Sequence, residues 1–286
     1  LKIGKNIAKN ILKKNDKLYD FTSYIYNSIK QYYLNQITDI YLISFPKCGR
    51  TWLRLMMGKY LKEYYNLKDV TKKEMLELSN LSKYKKEIPR IEVTHDDNTQ
   101  FKKPKNIEST KKKYKNKDVI FLVRDPRDVI ISLYFQLKKR RNFLENIKLS
   151  EFIRREKVSL NSIIRFYNIW YENKNVPKNF LLIKYEDMHK NTKKELAKVL
   201  SFIGYTNCNS SQLNNIVNFA KFDNMRKMEK ENKFNSQRLK PGDKNDKESF
   251  KTRKGKIGGY TDYLNQKDIE FIDRKIKESL KKEFNY

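Results

Sequence analysis

Two cysteines in 286 residues, Cys48 and Cys208, exclude a disulfide framework and suit a reducing compartment. Histidine is equally scarce. His95 and His189 are the only two, and they join no cluster of cysteines or carboxylates spaced to hold a metal. No stretch reaches the roughly 18–20 apolar residues that a membrane-spanning helix needs. The chain begins at Leu1, and Leu1 to Ile7 lacks the apolar core of a signal peptide, so a soluble cytoplasmic protein is expected. Acidic residues number 34 against 64 lysines and arginines, a net charge of +30. Internal repeats and linker-like stretches are also missing, and the length suffices for one substantial core.

So basic a chain draws anionic ligands and polyanions alike. Lysine, asparagine, isoleucine and tyrosine are all abundant, however, as an AT-rich genome would make them. The charge therefore specifies no nucleic-acid partner. Residues 1–36 alternate basic and apolar positions (Ile3, Ile7, Ile11, then Tyr19, Phe21, Tyr24, Ile25, Ile29, Tyr32), which reads as an amphipathic helical extension. Packing against the domain at 37–286 is the expectation for it, with peripheral membrane contact as the alternative. Nothing in the sequence signals an oligomeric state.

The chain is organised around Tyr41-Leu-Ile-Ser-Phe-Pro-Lys-Cys-Gly-Arg-Thr-Trp52. Ile40 to Phe45 is an apolar run of the kind a buried parallel strand needs on both faces. Pro46 and Gly49 break it into a tight turn. From Thr51, a candidate N-cap, apolar residues recur at helical spacing through Trp52, Leu55, Met56, Tyr60 and Leu61. Strand, glycine-bearing turn and helix together aim free N–H groups and a helix dipole at one point, which favours an anion there. Lys47 adds a full positive charge. A Walker A loop is excluded, because the turn lacks the second glycine followed by Lys-Ser/Thr at the helix start.

Phe45-Pro-Lys-Cys-Gly-Arg-Thr-Trp52 instead resembles the 5′-phosphosulfate loop of the sulfotransferases that use 3′-phosphoadenosine 5′-phosphosulfate (PAPS), with Cys48 in place of the usual serine. Three further stretches come in that family's order. Ile91-Glu-Val-Thr-His95 reads as a short strand ending where the family carries its catalytic base, although Val93 stands where a lysine is common. Asp118 to Tyr134 reads as a buried strand, Val119 to Val123, and a helix opened by Pro126. It carries Arg124 and, eight residues on, Ser132, the pair that the family applies to the 3′-phosphate. A guanidinium is a charged fork suited to a phosphate dianion, and a hydroxyl adds a neutral hydrogen bond. Arg253-Lys254-Gly255 resembles the closing clasp on the same phosphate, with Gly259 and Tyr260 replacing the family's Asp-Trp. By the same resemblance, Tyr185, Trp52 and the Phe222-Asp-Asn-Met225 segment surround the adenine.

The implied fold is a single α/β domain with a mainly parallel central sheet flanked by helices, its ligand beyond the strands' carboxyl ends. Helices are expected at Lys72–Leu81, Ser150–Lys157, Leu160–Asn173, Thr192–Ile203 and Gln266–Lys282. A strand is expected from Asn179, and loops at 66–90 (apart from that helix), 96–117 and 229–252. The implied activity is sulfonate transfer from PAPS to an acceptor hydroxyl or amine on a glycan, lipid or small alcohol, without a metal. It leaves adenosine 3′,5′-bisphosphate (PAP). The catalytic set is His95 as base, Lys47 on the leaving phosphate oxygen, and Ser132 modulating Lys47. The donor set is Lys47, Cys48, Gly49, Arg50, Thr51, Trp52, Arg124, Ser132, Tyr185, Phe222, Met225, Arg253, Lys254 and Gly255. Cys48, at a helix start beside Lys47, is expected to be exposed, with its thiol below the usual value of about 8.5. A P-loop kinase of small molecules and a catalytically inactive nucleotide-binding protein are the alternatives.

Overall fold

The computed structural model describes residues 16–286 except Asp97 and Glu145. Two compact units divide at Thr38/Asp39. The first holds α1 (Asp16–Ile37), a 22-residue helix. The part of the amphipathic pattern at Ile3, Ile7 and Ile11 lies outside the described residues.

The second unit is built on four parallel strands: β1 (Ile40–Ser44), β2 (Ile91–Thr94), β3 (Asp118–Val123) and β4 (Asn179–Lys184), in the order β2-β1-β3-β4. Every residue of β1 is buried, and in β3 every residue after Asp118. Their unbroken apolar runs reflect strands covered on both faces. Helices connect the strands: α2 (Arg50–Tyr64), α3 (Lys72–Met75) and α4 (Leu78–Leu81) lie between β1 and β2. Between β3 and β4 come α5 (Pro126–Phe135), α6 (Leu149–Phe152) and α7 (Leu160–Glu172). After β4 come α8 (Tyr185–Lys190), α9 (Thr192–Phe202), α10 (Ser210–Phe219), α11 (Phe222–Lys230) and α12 (Gln266–Ser279). Among the described residues, no helix is long and apolar enough to cross a membrane.

Register brings the strand ends level. Ile43 pairs with Thr94, Ser44 with Leu122, and Val123 with Lys184, so all four strands end together. The next residues, the Lys47 turn, His95, Arg124 and Tyr185, therefore leave one edge of the sheet.

Several boundaries differ from the sequence expectation. The helix expected over Lys72–Leu81 is two short helices broken at Leu76–Glu77, and that expected over Ser150–Lys157 is only α6. A capping box of Thr71 and Glu74 starts α3. Past Phe135, α5 widens into a π turn over Gln136–Arg140, a distortion frequent at functional sites.

Candidate active site

A cleft of about 920 Å³ opens at the carboxyl edge of the sheet. Every residue the sequence nominated lines it except Cys48.

The turn after β1 is held by two left-handed residues, Lys47 (φ 76°) and Gly49 (φ 89°). For lysine this conformation costs on the order of 1–3 kcal/mol, the kind of strain that gathers at ligand sites. Gly49, not Thr51, is the N-cap of α2. A Cβ there would lie 2.4 Å from the Tyr185 ring, so the position excludes a side chain on both counts. Lys47 Nζ donates to Gln136 Oε1 at 2.8 Å. Ser132, the expected partner of Lys47, lines the same cleft one turn earlier on α5, and Gln136 holds the amine instead. Burial, then the charges of Lys251, Arg140 and Arg253, hold the Lys47 ammonium well below its ordinary range.

Cys48 corrects an expectation. Its side chain is fully buried, with Sγ 3.2 Å from Tyr167 Oη. Tyr167 donates to the Arg124 carbonyl and accepts from the Arg124 N–H, so the thiol donates to Tyr167. Burial pushes the thiol up to about 12. The turn offers its backbone to the cleft here and tucks its side chain into the core.

His95 comes directly after β2. Its Nδ1 lies 2.8 Å from the Ser44 carbonyl and must carry the proton, leaving Nε2 to accept from Arg50 Nη2 at 2.7 Å. Arg50 also donates to the Thr94 carbonyl. Burial, then the Arg50 charge, keep the imidazole well below its usual range, so it is neutral at physiological pH. Val93, where a lysine is common, is partly buried against the core. Positive charge reaches His95 from Arg50, Lys251 and Arg238.

Arg124 emerges from β3 and stacks on Tyr185, 4.2 Å from the ring centre. Its Nη2 bonds Asp128 Oδ2 and the Lys256 carbonyl, both at 3.1 Å, while Nε is buried with no partner. Trp52 packs edge-on to Tyr185 (5.9 Å) and donates Nε1 to the Ala220 carbonyl at 2.9 Å. Phe222 and Met225 lie in the first turn of α11, and both line the cleft with Trp52. Gly255 (φ 62°) fits against the Phe222 ring, 2.2 Å from where a Cβ would stand. Arg253 is paired with Glu248 (3.0 Å) and Lys254 with Asp262 (2.5 Å), so both clasp cations rest on carboxylates.

Residues without a local sequence signature assemble this site. Buried Asp128 accepts from Arg124, Gly258 N–H and Tyr260 N–H, tying the C-terminal loop to α5. Glu229 does the same for the other side, accepting from the N–H groups of Lys251 and Thr252 and from the Thr252 hydroxyl. His189 bonds the Tyr185 hydroxyl at 2.9 Å. Lys251 itself faces the cleft, and burial followed by Arg140 and Arg50 lowers its amine to about 7. Asp125, by contrast, is a helix cap gripped by Arg127 and does not line the cleft.

Residues 37–284 match the sulfotransferase domain. The chain belongs to this family of PAPS-dependent transferases. It is 27% identical to the amine sulfotransferase of Oryctolagus cuniculus over 258 residues, 85% of this chain and 81% of that one. With sulfotransferase 2A1 of Homo sapiens it shares 25% over 273 residues, 91% and 90% of the two chains. A mouse sulfotransferase structure complexed with PAP superposes with a TM-score of 0.56 at 24% identity, covering 85% of this chain and 84% of that. Retinol dehydratase with androsterone and PAP gives 0.61 at 16% identity, covering 85% and 80%. These structures share the α/β fold.

Proposed function

We propose that the protein transfers sulfonate from PAPS to the hydroxyl or amine of a small-molecule, lipid or glycan acceptor, with His95 and Lys47 acting on the reacting atoms. The observation that carries this reading is His95 Nε2, unprotonated and in one cleft with the Lys47 amine. PAPS, when bound, supplies the sulfonate and departs as PAP. The cleft suits it: the buried, unpartnered Arg124 Nε awaits an acceptor, and Gly49 and Gly255 let the Tyr185 and Phe222 rings lie close against the two loops. Arg124, Ser132 and Arg253-Lys254-Gly255 would hold the 3′-phosphate, and Trp52, Tyr185, Phe222 and Met225 the adenine. The backbone of Lys47 to Thr51 would hold the 5′ end.

Lys47 would leave Gln136 and place its charge on the phosphate oxygen that gains electrons as the sulfur–oxygen bond breaks. Once Arg50 turns from Nε2 of His95, that nitrogen would take the acceptor's proton as the new bond to sulfur forms, the ring's own proton being held on Nδ1 by the Ser44 carbonyl. The relatives include an amine sulfotransferase, a 3-beta-hydroxysteroid sulfotransferase of Cavia porcellus and a flavonol 3-sulfotransferase of Flaveria bidentis. Both amine and hydroxyl acceptors are thus named among them.

Thermal denaturation tests the donor. PAP is expected to raise Tm by several degrees without metal, AMP far less, and ATP with Mg²⁺ no more than AMP. Equal shifts from PAP and AMP would remove the 3′-phosphate site, and a dominant shift from ATP with Mg²⁺ would favour a kinase.

A further inference from the structure

The cleft holds more positive charge than its donor needs. PAPS carries about four negative charges, two of them on the 3′-phosphate. Lys47, Arg124, Arg253 and Lys254 face that charge, the last three shared with Asp128, Glu248 and Asp262. A second group of cations lines the same cleft: Arg50, Lys251 and Arg238, whose charges act on His95, Arg54 beside Arg50, and Arg140, which with Lys251 also acts on Lys47.

These side chains are poorly compensated. Arg54 and Arg238 share one carboxylate, Glu77, at 3.3 and 2.8 Å. Arg50 rests on a carbonyl and an imidazole. Arg140 rests on the Lys240 carbonyl (2.7 Å) and the Gln136 amide (3.4 Å). Glu229, near Lys251, has both oxygens committed to backbone N–H groups and a hydroxyl. Among the described residues, no carboxylate pairs with Arg50, Arg140 or Lys251. Two donors here, Arg54 Nε and Arg140 Nε, are buried and unpartnered, and Arg54 is only 4% exposed. Burial and then mutual repulsion lower Arg50 to about 9 and Lys251 to about 7. Like charges gathered in a cleft with few counterions repel one another, and an anion seated among them relieves that cost.

We propose that the acceptor is itself an anion, and that Arg50, Arg54, Arg140, Arg238 and Lys251 seat its carboxylate, phosphate or sulfate while His95 faces its nucleophile. This inference rests on the sulfotransferase reading and adds to it the class of acceptor. A neutral or cationic acceptor leaves the cluster uncompensated. An anionic one brings its charge to the wall of the cleft that carries His95, with its hydroxyl or amine free to face Nε2. Arg238, half exposed at the rim, would act as the first contact; Lys251, partly buried, would fix the seated group.

The test uses the full chain saturated with PAP, so that the donor's own cations are occupied. Calorimetric titration compares three matched pairs: 4-hydroxyphenylacetate with 4-hydroxyphenylacetamide, glucuronate with glucose, and glycerol 3-phosphate with glycerol. At least one acid is expected to bind tenfold or more tightly than its neutral partner, and the winning pair tells carboxylate from phosphate. Arg238→Gln and Lys251→Gln are expected to cut that preference below threefold while PAP still raises Tm by the wild-type amount. The inference is overturned if each neutral partner binds as well as its acid, if no acid binds below 10 mM, or if both variants keep the full preference. Failure of PAP to stabilise the protein would overturn the donor reading instead, which separates the two failures.

Discussion

Cys48 shows what a motif states and what it leaves open. The local sequence places it between Lys47 and Gly49 in an anion-binding turn, which argues for an exposed, acidic thiol. Its partner Tyr167 comes from α7, more than a hundred residues on, and no local pattern announces it. The contact turns the side chain inward and reverses the expected reactivity. Iodoacetamide is therefore expected to leave Cys48 unmodified in the folded protein and PAP binding intact, as peptide mapping after timed quenching would show. Cys48→Ser should keep the bond to Tyr167 and cost less than about 1.5 kcal/mol, a net hydrogen-bond difference. Rapid loss of PAP binding on alkylation of Cys48 would contradict the inward placement. Arg50 teaches the complementary lesson. The motif counts it among the donor residues, yet its guanidinium reaches Thr94 and His95 at the end of the neighbouring strand.

At the scale of elements, β1, β3 and β4 were legible because their apolar runs are hard to mistake. The register that ends them together was not legible, since it depends on pairing across distant segments. Short helices were read worst. Over Lys72–Leu81 the composition favours helix throughout, and only packing decides that α3 and α4 break apart: Gly58 of α2 sits so close that a Cβ would lie 2.0 Å from the Met75 carbonyl. The C-terminal clasp looked like a local motif, but its geometry comes from α5 and α11. Asp128 takes three bonds from Arg124, Gly258 and Tyr260 at 3.0–3.1 Å. Asp128→Asn puts an amide where two N–H groups need acceptors and leaves Arg124 without its carboxylate. We expect it to destabilise the protein by about 2–4 kcal/mol, as for other broken buried polar networks. PAP affinity should fall about tenfold more than in the surface control Glu270→Gln. Urea unfolding and calorimetry on both variants check this, and unchanged PAP affinity in Asp128→Asn would show that the loop keeps its shape unaided.

For the whole molecule, the sequence made the excess of positive charge plain but not its distribution. A net +30 acts at long range and is screened within about 10 Å at 0.1 M salt, so it cannot choose a substrate. The cleft can, because Lys47, Arg50 and Lys251 are held there at close quarters with depressed proton affinity. The central claim is that this cleft divides its work, with His95 serving chemistry and the Arg124 side serving the donor. The measurement closest to it traces label from [³⁵S]PAPS into an accepted acid, in the wild type and in His95→Ala, with the PAP dissociation constant measured in parallel. Losing a general base costs about 10²–10⁴-fold in rate, and a fall of that size is expected, with PAP affinity changed less than about threefold. Because burial and Arg50 lower the His95 value, the base stays unprotonated as pH drops through about 6.5. The wild-type kcat/KM for an acid should accordingly rise modestly as Lys251, lowered to about 7, gains its charge, and decline only at the lower pH where His95 protonates. Near-full transfer by His95→Ala, or a PAP affinity that collapses together with the rate, would contradict the account.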